Sequence, residues 1–103
     1  MVENVRKDIE PIRSEAGVVR VVLFGSYATG KQTAASDIDL LVVIDTRLCD
    51  KDSAYKLIRR HLKIRMVELH VISREEYRLM GGSRWIRTIE KEGRTIISDE
   101  ASP

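Results

Sequence analysis

The spacing of apolar residues along the chain alternates between a helix-like and a strand-like pattern. Apolar side chains recur every three or four residues over 2–16, which predicts an amphipathic helix that Pro11 should kink or split. Apolar, largely β-branched runs over 18–24 and 38–44 predict two buried strands. Apolar and polar residues alternate over 66–72, which predicts a third strand with two different faces.

Helical segments and turns separate these predicted strands. A short helical turn is expected over 26–30, and a longer helix over 50–65 carries an apolar stripe opposite Lys and Arg residues. A Ser-x-x-Glu capping box starts a short helix over 73–80. A last helix over 83–92 leads to a short strand over 94–97. Because helices and strands alternate with short connections, we predict an α/β (α+β) fold with helices packed on one small sheet.

Composition and charge favour a small globular protein and argue against several other classes. The 103 residues, 43% hydrophobic and 33% charged, fit a single domain over 1–103. The net charge is +2 without long Lys or Arg blocks, so no strong nucleic-acid signal is present. No apolar run approaches the ~20 residues of a membrane span, and we expect a cytoplasmic location. The single Cys49 allows no internal disulfide.

One stretch carries most of the candidate chemistry. Gly25-Ser26 follows the first strand, ten residues intervene, and Asp37 and Asp39 open the second strand. Alternation along a strand should place both carboxylates on one face, where their repulsion favours a divalent metal between them. A Gly-Ser turn offers backbone N–H groups and a hydroxyl that suit phosphate. Metal and phosphate together indicate phosphoryl or nucleotidyl transfer.

The same stretch resembles the minimal nucleotidyltransferases of the DNA polymerase beta superfamily. Their pattern is Gly-Ser, ten residues, Asp-x-Asp, which residues 25–30 and 36–40 match in type and spacing. The resemblance continues to 89–97, where a helix, a glycine and a short strand are expected. It implies a polymerase beta-like nucleotidyltransferase fold with a small mixed sheet. It also implies transfer of AMP from ATP to a hydroxyl, with two Mg²⁺ ions for which Mn²⁺ can substitute.

The resemblance also implies roles for particular residues. Gly25 and Ser26 would hold the nucleotide phosphates, and Asp37 and Asp39 would bind the metal ions. Glu68 is the acidic residue centred in the third strand, where the family places its third carboxylate, more often Asp. Glu68 would complete one metal's shell and accept a proton; the alternative is an exposed strand residue. His70 shares the face of Glu68 and is interpreted as a structural or surface residue.

The resemblance also implies a partner protein, and the residues leave alternative functions open. These proteins often pair with a HEPN-domain toxin, so the acceptor would be a tyrosine of a HEPN partner and the chain an antitoxin. Instead of such a partner, a second copy of the chain in a homo-oligomer would supply the rest of the site. A first alternative is an antitoxin of the same fold that acts by docking alone, since Thr29 stands where the family often has Arg. A second is transfer to a small molecule of the aminoglycoside type.

A third alternative, a P-loop, rests on the near match of residues 25–32 to G-x-x-x-x-G-K-[ST]. Gln32 replaces the hydroxyl residue that would bind Mg²⁺, and a strand follows where a long helix should stand. This interpretation is therefore disfavoured. The decisive contrast is that a P-loop would depend on Lys31, whereas a nucleotidyltransferase would depend on Asp37 and Asp39.

Overall fold

A computed structural model describes residues 1–64 and 66–98 of the chain. It begins with two helical segments, α1 (Val2–Ile9) and α2 (Arg13–Ala16), joined by a 3₁₀ turn (Glu10–Ile12). Pro11 lies in that turn, because proline lacks the N–H that a continuous helix would need. The predicted split of the first helix is confirmed. Gly17 ends α2 in a left-handed conformation, with φ of 70°.

Within residues 1–64 and 66–98, four strands form one mixed sheet. They are β1 (Val18–Phe24), β2 (Ile38–Ile44), β3 (Val67–Ser73) and β4 (Arg94–Ser98), in the order β3-β2-β1-β4. β1 runs antiparallel to β2 and β4, whereas β2 and β3 are parallel. A parallel pair needs a crossover connection, and a helix between β2 and β3 supplies it. The predicted mixed α/β fold is confirmed.

Helical segments occupy the remaining connections. A single turn, α3 (Ser26–Thr29), follows β1, and α4 (Lys51–His61) crosses between β2 and β3. α5 (Arg74–Leu79) begins with the predicted capping box, and a 3₁₀ turn (Met80–Gly82) separates it from α6 (Arg84–Glu92). Within the described residues, no helix has the length and apolar character that crossing a membrane requires.

Several element boundaries differ from the sequence prediction, and the largest difference is at the end of α4. The helix predicted over 50–65 spans Lys51–His61, because Asp50 caps its first turn and Leu62 already has an extended backbone. Leu62 is itself buried in the core. Position 65 lies outside the described residues. β3 begins and ends one residue later than predicted.

The two faces of the sheet bury different amounts of apolar surface. The main face packs against α1, α2 and α4 and forms the larger core. The second face packs against α6 and forms a smaller core. Helices therefore cover both faces of the sheet. The buried residues of the second face are Val22, Leu41, Val43, Ile86 and Ile89.

Strand alternation decides which side chains reach the second face. In β2, Leu40 and Val42 belong to the main core, whereas Leu41 and Val43 belong to the second face, so Asp39 shares their side. In β3, Val67, Leu69 and Val71 contact the main core, as predicted. The intervening polar residues of β3 consequently lie on the second face. Glu68 and His70 therefore border the apolar cluster of the second face.

Candidate active site

The turn after β1 brings the backbone directly against a carboxylate. Phe24, the last residue of β1, pairs with Asp39 in β2, and Gly25 follows with φ of 77° and ψ of −156°. Side-chain-bearing residues rarely adopt this conformation, so glycine fits it best. A Cβ atom at position 25 would overlap the Oδ2 atom of Asp39. The glycine therefore allows the close approach of the turn to Asp39.

The residues after Gly25 form a tight single turn. The Gly25 carbonyl accepts hydrogen bonds from the N–H groups of Ala28 at 3.0 Å and Thr29 at 3.3 Å. Ser26 opens this turn and is half-buried. Residues 31–37 contain no helix, so the long helix of a P-loop does not follow Gly30.

The parallel register of β2 and β3 places two acidic side chains next to each other. Asp39 pairs with Glu68, and Leu41 pairs with His70 two residues further along. Ligand atoms of Asp39, Glu68 and His70 all lie within 4.8 Å of one another. The His70 Nε2 atom lies 3.6 Å from the Glu68 Oε1 atom. We call these three residues the Asp39–Glu68–His70 cluster.

The electrostatic state of Asp39 reflects its neighbours. Partial burial raises the pKa of its carboxyl group above the ordinary value, and the negative charges of Glu68 and Asp37 raise that pKa further. The electrostatic interaction with His70 lowers the pKa of Asp39. In the folded chain without a bound cation, the charged form of the Asp39 carboxyl group is thus less favoured than in an ordinary aspartate. A bound cation would relieve that cost, so the site is electrostatically suited to one.

Asp37 occupies a different position from the other predicted acids. It directly precedes β2, is exposed, and does not belong to the three-residue cluster. It is close enough for its charge to raise the pKa of Asp39. The structure therefore brings Asp39 and Glu68 together and leaves Asp37 at the solvent side of the pair.

The rings of Phe24 and Trp85 pack against the His70 ring of the cluster. The ring centroids of Phe24 and His70 are 5.5 Å apart, those of His70 and Trp85 are 5.6 Å apart, and those of Phe24 and Trp85 are 5.9 Å apart. A cleft of about 170 Å³ lies between Gly25, Thr29 and Trp85. The sequence interpretation did not place His70 or Trp85 in the site. Alternation in β3 put His70 on the face of Glu68, and that was the available signal.

Comparison with known proteins identifies the family. A family model described as nucleotidyltransferase domain matches residues 3–97. The chain belongs to this family. The resemblance to minimal nucleotidyltransferases is therefore confirmed, and the chain is a nucleotidyltransferase-family enzyme.

Two proteins of Methanocaldococcus jannaschii are similar in sequence, each named as a candidate protein adenylyltransferase. One is 35% identical over 74 residues, which is 71% of this chain and 74% of that protein. The other is 44% identical over 41 residues, which is 40% of this chain and 44% of that protein. The first match spans enough of both chains to support the family assignment independently.

Two solved structures share the fold. A candidate nucleotidyltransferase from Sulfolobus solfataricus has a TM-score of 0.61 at 22% identity, covering 92% of this chain and 78% of that chain. A structure described as a toxin-antitoxin with AMP-PNP has a TM-score of 0.57 at 18% identity, covering 97% of this chain and 78% of that chain. At these identities, the likeness establishes the nucleotidyltransferase fold and no more.

Proposed function

We propose that the chain transfers NMP, specifically AMP from ATP, to a hydroxyl acceptor in a reaction that depends on a divalent metal. The observation that carries this proposal is the register of β2 and β3, which sets Asp39 beside Glu68. Gly25 packs its backbone against the same Asp39 carboxylate. A phosphate-accepting turn and a pair of carboxylates thus meet at one point, as metal-dependent phosphoryl chemistry requires.

The oxygen donors of the site fit a hard divalent ion. Asp37, Asp39 and Glu68 would hold two Mg²⁺ ions, for which Mn²⁺ can substitute. The raised pKa of Asp39 supports this assignment, because a cation would offset both the partial burial of that carboxylate and its repulsion by Glu68 and Asp37. When bound, the metal supplies charge stabilisation for the attacking and leaving oxygens.

The Gly25 turn is suited to receive the nucleotide phosphates. Gly25 has no Cβ to collide with Asp39, so the turn can lie against that carboxylate, and Ser26 offers a hydroxyl and a backbone N–H as hydrogen-bond donors. The cleft bordered by Gly25, Thr29 and Trp85 provides space on the α6 side of the turn. The turn would therefore orient ATP with its α-phosphate toward the carboxylates.

The transfer step follows from these positions. The acceptor hydroxyl oxygen attacks the α-phosphorus of ATP, and a new P–O bond forms. The bond between the α-phosphorus and the bridging oxygen to the β-phosphate breaks, so pyrophosphate leaves with those electrons. Glu68, exposed beside Asp39, accepts the hydroxyl proton as a general base.

The acceptor in this proposal is a tyrosine of a HEPN-domain partner, which makes the chain an antitoxin. Two observations support a protein acceptor and a partner. Both similar archaeal proteins are named as candidate protein adenylyltransferases. A structural neighbour is described as a toxin-antitoxin with AMP-PNP. The partner, or a second copy of the chain, would complete the open side of the site.

The test first asks whether the adjacent gene encodes a HEPN-domain protein, and that protein is then the acceptor in a transfer assay. ATP labelled at the α-phosphate should transfer label to the partner in the presence of Mg²⁺, whereas ATP labelled at the γ-phosphate should not. Asp39→Asn should abolish labelling. Asp52→Asn is the matched control, because Asp52 lies exposed on α4, which packs on the main face. Partner neutralisation without any label transfer would favour the docking-only antitoxin instead.

A further inference from the structure

We propose that His70 is a metal ligand of this site, so that the site binds Mn²⁺ more tightly than Mg²⁺. The inference rests on the proposed function, because it concerns the metal of the same site. It adds a nitrogen donor to the oxygen donors considered above. It also changes the expected metal preference, since Mg²⁺ favours oxygen ligands while imidazole favours first-row transition metals.

The spacing of the donor atoms supports a shared ion. Bonds from a metal to nitrogen or carboxylate oxygen are about 2.1 Å long, so two donors to one ion lie at most ~4.2 Å apart. The His70 Nε2 and Glu68 Oε1 atoms are 3.6 Å apart, within this limit. That separation is also longer than an ordinary hydrogen bond. The two atoms are therefore spaced to bind one metal ion rather than to form a hydrogen bond with each other.

Asp39 completes a facing set of three donors from two strands. Its carboxylate belongs to the same group of ligand atoms within 4.8 Å. The parallel register fixes Asp39 beside Glu68, and alternation puts His70 on the same side two residues later. This 4.8 Å bound exceeds the ~4.2 Å limit for two donors to one ion by about 0.6 Å, so side-chain rotation would bring the three donors onto one ion.

Aromatic packing holds the imidazole in place. The His70 ring is inclined at 51° to Phe24 and at 66° to Trp85, with both centroids within 5.6 Å. Phe24 and Trp85 also contact each other edge to face. A ring restrained on two sides loses little freedom when it binds metal, which favours binding. His61, by contrast, lies on α4 with its Nδ1 atom 3.0 Å from the Leu57 carbonyl.

The chain permits a direct spectroscopic test, because it has two histidines and a single tryptophan, Trp85, near the cluster. Mn²⁺ should be titrated into the purified chain with inorganic triphosphate, which contains no nitrogen. Binding is followed by quenching of Trp85 fluorescence, and pulsed electron paramagnetic resonance detects nitrogen bound to Mn²⁺. The wild type and His61→Gln should show a nitrogen coupling, and His70→Gln should lose it.

The expected change in affinity is also specific. His70→Gln should weaken Mn²⁺ binding by about tenfold or more and Mg²⁺ binding much less. Labelling the His61→Gln variant with ¹⁵N-histidine should alter the nitrogen coupling. That measurement does not require the His70 variant to fold. Mn²⁺ binding without a histidine coupling would overturn the role of His70 and leave the proposed function standing. An absence of Mn²⁺ and Mg²⁺ binding to the wild type would overturn both.

Discussion

The two faces of the sheet use the same strands for different purposes. On the main face, β1, β2 and β3 present apolar side chains that are buried under α1, α2 and α4. On the second face, the apolar cluster under α6 is smaller, and the strands continue into Asp39, Glu68 and His70. Neighbouring residues of one strand therefore face the main apolar core on one side and the Asp39–Glu68–His70 cluster on the other.

This division explains how a chain of 103 residues can carry a charged site. Burial of the main face stabilises the fold, so the second face can expose unfavourable groups. Asp39 is such a group, because its raised pKa shows that its charged form is disfavoured in the folded chain. The difference between the faces can be tested by substitutions that affect one side only.

The largest expected effect comes from Asp39→Asn on the second face. We expect AMP transfer to fall by more than about a hundredfold, because the proposed metal ligand loses its charge. The free energy of unfolding at neutral pH should stay the same or rise, since the variant removes a partly buried charge that Glu68 and Asp37 repel. Transfer rates and urea denaturation measure the two quantities. A variant that transfers AMP at the wild-type rate would contradict the site assignment.

The adjacent substitution, Leu40→Ala, should affect the main face instead. Leu40 is fully buried in the main core, so the variant should lose about 2–5 kcal/mol of unfolding free energy. Its transfer rate per folded molecule should remain close to that of the wild type, because the side chain points away from Asp39. Urea denaturation and rates corrected for the folded fraction provide the check. A rate loss as large as that of Asp39→Asn would show that the faces are not separable.

A substitution at Gly25 should affect both the stability of the fold and the rate of AMP transfer. Gly25→Ala should lower both stability and transfer, since the new Cβ would overlap Asp39 and the backbone strain costs about 1–3 kcal/mol. Gly30→Ala is the matched control, because Gly30 also has a positive φ, but a Cβ there would meet no atom of the described residues within 4 Å. Gly30→Ala should therefore cost stability alone. Equal transfer rates for the two variants would argue against a functional contact between position 25 and Asp39.

A smaller effect concerns the other end of β2. Hydrogen bonds from Arg47 lower the pKa of Asp45 to about 2, and the ordinary value in an unfolded chain is about 3.9. The stabilisation from this pair is present above the unfolded pKa and is lost as the pH falls toward 2. Asp45→Asn should thus reduce the acid dependence of stability between about pH 4 and 2. Unchanged acid denaturation would exclude this pair as a contributor.

The sequence predicted local features better than long-range ones. Apolar periodicity located the strands, Pro11 predicted the split helix, and Ser73 and Glu76 predicted the capping box. These features depend on nearby residues. The pairing of Asp39 with Glu68 depends on how the α4 crossover packs, which local patterns do not encode. Family resemblance, rather than periodicity, pointed to that pair.

The same reasoning accounts for what the sequence interpretation missed. His70 looked like a lone strand histidine, because its ring contacts come from Phe24 and Trp85, distant in sequence. Asp37 directly precedes β2 and lies outside the close three-residue cluster. The site roles of Gly25, Ser26, Asp37, Asp39 and Glu68 stay predictions.

The central claim is that Asp39 and Glu68 act as one unit in AMP transfer. The most direct measurement is a double-mutant cycle on the single-turnover transfer rate, using Asp39→Asn, Glu68→Gln and the double variant. Each single variant should be slower by on the order of a hundredfold or more, and the double variant should be about as slow as the slower single one. Rate losses that multiply, or a Glu68→Gln variant as fast as the wild type, would contradict a shared site.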